Sequence, residues 1–323
     1  MNTSELLKDL AKVKRKQKPL WEHLGNIEHP AFFKLRACGA YLELREWLDH
    51  DGKCTVQTAN FCKNHVMCNM CAIRRSARLC QAYEAKVMQV LGDPQNAKLK
   101  PVMITITIKN KDDIHEAFDH IKHSFTKLMK RANNHKNRKN PPLVMDEFCK
   151  VVGGVYAFEI KKGKGGKWHP HIHFFALLND YIDQEKLSSE WFDITGDSFV
   201  VGISECKKGI LKGLIEVLKY TTKFSEMKPA EIVEISNMAK NRTLCSPVGI
   251  LRGVKVQPID EDTQLDGAYI DYIAHFMYRK NGYKLKLKAE VHETTNQIIG
   301  KHHARLGRVS GASEEYLKTL QTE

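Results

Sequence analysis

The sequence predicts an α+β protein, and three observations carry that expectation. Apolar residues recur at helical spacing in separate segments: Leu6, Leu7, Leu10 and Val13 near the start, and Ile210, Leu214, Val217 and Leu218 further along. Residues 102–108 (VMITITI) alternate Ile with Thr, the pattern of a half-buried strand. Two apolar runs, 155–160 (VYAFEI) and 169–178 (HPHIHFFALL), flank a Gly/Lys loop at 161–168, which is the composition of a β-hairpin.

Taken in order, residues 1–35 read as helical and basic. A helix follows the cysteine-rich stretch, from Arg74 to about Val90, and Gly92-Asp93-Pro94 breaks it. Pro101 opens the 102–108 strand. The next helix spans roughly Asp113 to Asn133 and ends in a polar loop containing Pro141-Pro142. Residues 120–140 hold seven Lys or Arg and no acid, which fits a solvated face or a nucleic-acid contact. After the hairpin come an expected helix over Lys207–Phe224, a helical segment near 228–240, a strand at 248–254 and a helix near 266–280. The tail is basic, with eight Lys or Arg against two Glu from Arg279 to Arg308.

Of the 323 residues, 42% are hydrophobic and 28% charged, a balance that excludes an intrinsically disordered chain. No run approaches the ~20 apolar residues of a membrane-spanning helix. The N-terminus is charged throughout and does not read as a secretory signal. The expectation is a soluble, cytoplasmic protein. Lys and Arg number 51 against 38 Asp and Glu, a formal charge of +13. That imbalance points to a polyanionic partner, and to nucleic acid before a membrane surface.

His169-Pro170-His171-Ile172-His173 is the sharpest local signal. On a strand alternate residues share a face, so His171 and His173 point one way and Ile172 and Phe174 the other. With the hairpin loop centred near Gly165, Glu159 falls opposite His171, because each lies six residues from the centre. Cross-strand Cβ atoms sit about 4.5–5.5 Å apart, so Glu159, His171 and His173 form a candidate N,N,O set for a divalent Lewis-acid cation. A solvated polar face is the bland alternative; the apolar continuation Phe174-Phe175-Ala176-Leu177-Leu178 argues against it. A non-haem iron oxygenase uses similar ligands, but nothing else in the sequence supports oxygen chemistry.

Glu216 and Tyr220 lie four apart, neighbours on one helix face, and Lys223 joins them three residues on. Gly209 and Gly213 extend that face backward and leave room for a bulky ligand. A Tyr hydroxyl is a weak nucleophile at its usual pKa of about 10; a polarised phosphate and a nearby Lys compensate. By themselves, such residues on an amphipathic helix are ordinary surface residues.

Six of the nine cysteines fall between Cys38 and Cys80. In a reducing compartment, clustered thiols indicate a metal site rather than disulfides. Cys68-x2-Cys71 has the spacing that places two thiolates on one Zn²⁺, and Cys62 supplies a third. Cys38, Cys54 and His65 are the candidates for the fourth ligand, and buried free thiols are the alternative reading.

Together these segments resemble the rolling-circle replication initiators of small plasmids, in the HUH endonuclease superfamily. Arg36-Ala37-Cys38-Gly39 and Cys62…Cys68-x2-Cys71-Ala72-Ile73-Arg74-Arg75-Ser76 are similar to that family's N-terminal cysteine region. Ile104 to Asn110 resembles its first motif, and His169 to His173, with Glu159 before it, resembles its metal motif. Glu216…Tyr220-x2-Lys223 is similar to the third motif, in the subgroup with one catalytic tyrosine and a glutamate four residues earlier. Met67-Cys68-Asn69 departs from relatives that often carry basic and proline residues there, and the last hundred residues match only loosely.

The resemblance implies an HUH endonuclease fold, a central antiparallel sheet with packed helices, plus an N-terminal zinc-binding region. It implies three parts: 1–95 helical and zinc-binding, 100–255 catalytic, and 256–323 a basic C-terminal extension. His171, His173 and Glu159 would hold Mg²⁺ or Mn²⁺. Cys38, Cys62, Cys68 and Cys71 would hold structural Zn²⁺, with Cys54 in reserve, and Arg74 and Arg75 would contact DNA. Tyr220 would attack the scissile phosphate in single-stranded DNA extruded at the double-strand origin, leaving a 5′-phosphotyrosyl link and a 3′-OH primer. Glu216 would activate water for a terminating cleavage, and Lys223 would steady the phosphate or lower the Tyr220 pKa. The implied partners are single- and double-stranded plasmid origin DNA, a host DNA polymerase and a helicase, with no membrane. Two alternatives belong to the same chemistry: a single-strand transposase, disfavoured by Glu216 where a second Tyr would stand, and a conjugative relaxase, whose Tyr precedes the His cluster. A non-enzymatic zinc-containing DNA-binding protein leaves Glu159, His171 and His173 unexplained.

Overall fold

The computed structural model describes residues 1–137, 146–163, 165–207, 209–219, 227–254, 268–292 and 297–301, with side chains up to residue 288. Along the chain run α1 (Thr3–Lys16), α2 (Lys18–Asn26), α3 (Phe32–Ala37), β1 (Tyr41–Trp47), β2 (Lys53–Ala59), α4 (Asn69–Gly92), β3 (Lys100–Thr107) and α5 (Ile114–Lys136). They continue with β4 (Val151–Lys162), β5 (Trp168–Leu178), α6 (Gln184–Thr195), β6 (Val201–Glu205), α7 (Ile210–Leu218), α8 (Pro229–Met238), β7 (Cys245–Gly249), β8 (Ala268–Met277), β9 (Gly282–His292) and β10 (Gln297–Lys301). Two compact units result: Met1–Ala72 with Pro258–Glu323, and Ile73–Gln257. Among the described residues no helix is long and apolar enough to cross a membrane.

In the first unit, α1 begins at a capping box. The Asn2 side chain accepts from Glu5 N, and the Glu5 carboxylate accepts from Asn2 N, which satisfies two otherwise orphaned donors. An antiparallel sheet of order β10-β9-β8-β1-β2 follows. Its core joins Leu7 to Leu42, Leu44, Val56, Ile270, Tyr272 and Ala274. Arg45 faces Asp271 across β1 and β8 and donates two hydrogen bonds to its carboxylate, at 2.9 and 3.2 Å.

Two expectations are corrected in this unit. Residues 268–277 form a strand rather than part of a helix near 266–280, because Ala268, Ile270, Tyr272, Ala274 and Phe276 bury at period two. The stretch 256–323 is therefore not a simple basic extension: β8 pairs with β1 from the N-terminal segment, and β9 and β10 continue the same sheet.

The second unit is built on an antiparallel sheet of order β6-β3-β5-β4-β7. One face presents Ile104 and Ile106 of β3, Tyr156 and Phe158 of β4, and Ile172 and Phe174 of β5, which the strand registers place side by side. Helix α5 covers that face. Its stripe Ile114, Phe118, Ile121, Phe125 and Leu128 is buried at helical spacing. Phe118 meets Phe158 with ring centroids 5.1 Å apart, and Phe125 meets Tyr156 at 4.9 Å. The Asp113 side chain caps α5 by accepting from Glu116 N at 2.8 Å. The strand expected at 248–254 lies slightly earlier, as β7, and the helix expected over 207–224 is described as α7 over its middle part.

The sheet leaves no room at Gly154 in β4, where an added Cβ would fall 2.2 Å from Phe175 O and 2.4 Å from Phe174 Cε2. Gly154→Ala is expected to destabilise the protein by about 1–3 kcal/mol, the usual cost of overpacking. Gly165→Ala, with nothing within 4 Å of the new Cβ, should stay within about 0.5 kcal/mol. Urea unfolding of both variants checks this; equal midpoints would show that the strand pair yields.

Candidate catalytic site and cysteine cluster

The β4–β5 pairing decides which side chains meet. Glu159 lies opposite His171, Ala157 opposite His173 and Val155 opposite Phe175, and on the other side of β5 Thr107 and Thr105 lie opposite the two histidines. All of these share the face that α5 does not cover. The hairpin closes through Gly163 N donating to Lys167 O at 2.9 Å and Gly166 N donating to Gly163 O at 3.0 Å.

Glu159 and His171 are buried, at 4% and 6% exposure. Glu159 Oε2 lies 2.9 Å from His173 Nε2 and 3.3 Å from His171 Nε2. Thr105 Oγ1 is 3.4 Å from His173 Nδ1 and steadies that ring from behind. His171 Nδ1 is buried without a hydrogen-bond partner. Burial pushes the His171 pKa down, with Glu159 opposing, so the ring is held towards its neutral, lone-pair-bearing form. Two imidazole nitrogens and one carboxylate oxygen converging in a buried pocket are a donor set that fits a divalent cation. His169 shares the face, but its Nδ1 lies 2.6 Å from Asn110 Oδ1 rather than against Glu159.

Helix α7 packs on β4 and β5, and it does so on the histidine face. At Gly213 an added Cβ would fall 3.1 Å from both the Phe175 ring and Cys206 Sγ, so the helix approaches the sheet closely there. Leu214, Val217 and Leu218 are buried beneath it. Ser76 Oγ of α4 donates to Leu218 O at 2.6 Å, satisfying a carbonyl left open at the helix end. Glu216 is half exposed, pairs with Lys219, and lines an open groove of about 810 Å³ with Met103, Ser204 and Lys212. Tyr220 and Lys223 lie outside the described residues; Tyr220 is the second residue after α7. Arg74 is half-buried and Arg75 exposed on α4, and the Arg75 charge acts on Tyr83 and on Cys245 of β7.

The first unit gathers Cys38, Cys62, Cys68 and Cys71. Cys38 Sγ lies 3.4 Å from Cys68 Sγ and 3.6 Å from Cys71 Sγ, and Cys62 Sγ lies 3.6 Å from Cys71 Sγ. A tetrahedral ion with bonds of about 2.3 Å needs sulfurs about 3.8 Å apart, so the four thiols are spaced for one. Asn64 shapes the knuckle: its Oδ1 accepts from Val66 N and Met67 N, and its backbone oxygen accepts from Cys68 N. Hydrogen bonds from the neighbouring sulfurs pull the Cys68 thiol far below its ordinary range, towards the thiolate that a cation binds. Cys54, the other candidate for the fourth position, is buried in the core of the sheet with Leu44 and Ile270.

Residues 53–275, more than half of the chain, match the sequence profile of a family described as replication protein. The chain belongs to this family of plasmid rolling-circle replication proteins. Comparison with curated proteins and with solved structures finds no match.

Two residues of this replication protein's sites escaped the sequence reading. Thr105 was visible in the Ile/Thr alternation, but only the β3–β5 register puts it behind His173. Lys14 had no signal beyond a basic helix. It is 1% exposed, donates to Cys38 O at 2.7 Å and Arg36 O at 3.0 Å, and lies within 5.0 Å of the ring centroids of Trp21 and Phe276. Burial pulls its pKa down to about 8, with Cys38, Cys68 and Cys62 opposing. Lys14→Met keeps the length and removes the charge and both hydrogen bonds. It is expected to destabilise the protein by about 1–3 kcal/mol. Thermal or urea unfolding checks this, and an unchanged midpoint would deny Lys14 that supporting role.

Proposed function

We propose that the protein is an HUH-type nicking endonuclease that initiates replication at a plasmid double-strand origin. The observation that supports it most is the convergence of Glu159, His171 and His173 on the sheet face covered by α7, the helix that Tyr220 follows. Those three side chains would hold Mg²⁺ or Mn²⁺. A cation bound there would withdraw charge from the scissile phosphate and stabilise the charge that develops in the transition state.

Tyr220 is the nucleophile in this reading. Its Oη forms a bond to phosphorus as the bond to O3′ breaks, leaving a 5′-phosphotyrosyl link and a free 3′-OH primer. Lys223 lies close in sequence to steady the phosphate or favour the phenolate. After one round of synthesis, Glu216 takes a proton from the water that makes the terminating cut at the regenerated origin. The 3′-OH released by that cut attacks the phosphotyrosyl bond, closes the circle and returns Tyr220. Cys38, Cys62, Cys68 and Cys71 hold structural Zn²⁺, and Arg74 and Arg75, just beyond the last thiolate, contact the phosphate backbone. A host polymerase extends the primer and a host helicase opens the duplex.

Tyr220→Phe should bind origin DNA normally and form no covalent adduct with a labelled single-stranded oligonucleotide on a denaturing gel. His173→Ala should lose nicking while retaining the fold. An adduct that survives in the Phe variant would remove Tyr220 from its role, and full nicking by His173→Ala would remove the metal ligands from theirs.

Glu216→Ala separates initiation from termination. It should nick and form the adduct at near wild-type level, while unit-length circles from a plasmid with two tandem origins fall by about 10²–10⁴-fold, the usual worth of a general base. Loss of the first nick as well would place Glu216 in the cleavage step or in helix packing instead.

A further inference from the structure

The second unit holds another cluster of ligating side chains, on the sheet face opposite the histidines. His135 stands in the last turn of α5, Asp146 precedes the short turn 147–150, and Cys149 lies within that turn. An imidazole nitrogen, a carboxylate oxygen and a sulfur from these three residues lie within 4.8 Å of one another. His135 Nδ1 is 3.0 Å from Asp146 Oδ2, and Asp146 and Cys149 are each 7% exposed. Cys149 N donates to Asp146 O at 3.0 Å, which holds the two ligating side chains of the turn together.

Glu190 Oε2 is fully buried here without a hydrogen-bond partner, and the buried His135 Nδ1 meets the Asp146 carboxylate at 3.0 Å but out of line for a hydrogen bond. An unsatisfied buried polar atom costs about 1–3 kcal/mol. Glu190 belongs to α6 and is anchored through Oε1, which accepts from Glu147 N at 2.6 Å. Arg131 donates to both Asp146 oxygens, at 2.6 and 2.8 Å. An ionised carboxylate offers about four lone-pair positions, so that pairing leaves room for a further bond.

We propose that His135, Asp146 and Cys149 form a zinc site separate from the four-cysteine cluster. The donor set selects the ion. A thiolate excludes Mg²⁺ and Ca²⁺, which take oxygen ligands, while mixed sulfur, nitrogen and oxygen donors suit Zn²⁺. Arg131 then orients Asp146 from outside the coordination shell. The ion ties the end of α5 to the turn 147–150, which leads into β4, the strand that carries Glu159 near its other end.

Zinc content of the full-length chain, purified without chelator and measured by elemental analysis and native mass spectrometry, tests the proposal. Wild type should carry two zinc ions per chain. His135→Gln, Cys149→Ser and Cys71→Ser should each carry one, and a double Cys71→Ser/His135→Gln variant none. A wild type with a single ion that is lost in Cys71→Ser and kept in His135→Gln would overturn this site and leave the cysteine cluster standing. Where a variant fails to fold, wild-type protein loaded with Co²⁺ decides the matter. Two visible spectral components, one of them from mixed sulfur/nitrogen/oxygen ligation, support the site; a pure tetrathiolate spectrum at one ion per chain overturns it.

Discussion

The register of the β4–β5 hairpin is the constraint on which the second unit depends. A slip of β5 by one residue would turn His171 and His173 away from Glu159 and towards α5, where the Phe118 and Phe125 rings pack. Two imidazoles buried among those rings would lack partners, at a cost of several kcal/mol. The same slip would send Ile172 and Phe174 to the other face. The apolar side therefore holds the polar side in position: aromatic packing under α5 makes every other register expensive.

The polar face is closed by small residues and by one helix. Ala157 and Gly213 leave space where larger side chains would stand between strand and helix, and Ser76 secures the end of α7. The first unit meets its own buried charge in a parallel way. Lys14 is held among aromatic rings and backbone oxygens behind four thiols, so positive charge and incipient thiolates stabilise each other where neither would be tolerated by itself. In both units, buried ionisable groups gather at places able to take a cation or a counter-charge.

Membership of the replication-protein family rests on residues 53–275, a span that includes Cys62 to Cys71, the histidine hairpin and most of β8. That span begins in β2 and ends in β8, two strands of one sheet that are joined through β1. The similarity thus takes in parts of both compact units rather than the histidine sheet alone.

The sequence by itself determined the elements whose logic is local. The hairpin has a short loop, so counting outward from Gly165 was enough to set Glu159 opposite His171, and the pairing is as counted. Helix α5 was legible for the same reason, since capping and a repeating apolar stripe act within a few turns. Tertiary structure decided the rest. Ala268 to Met277 carries apolar residues that suit either period, and only the edge offered by β1, more than two hundred residues earlier, selects the strand. Cys38 rather than Cys54 joins the thiol cluster because Cys54 points into a sheet core, which spacing cannot reveal. His135, Asp146 and Cys149 fit no sequence motif, because the end of α5 and the turn before β4 meet there. Local patterns are set by periodicity and turn length, whereas meetings between distant residues are set by which faces can be buried against each other.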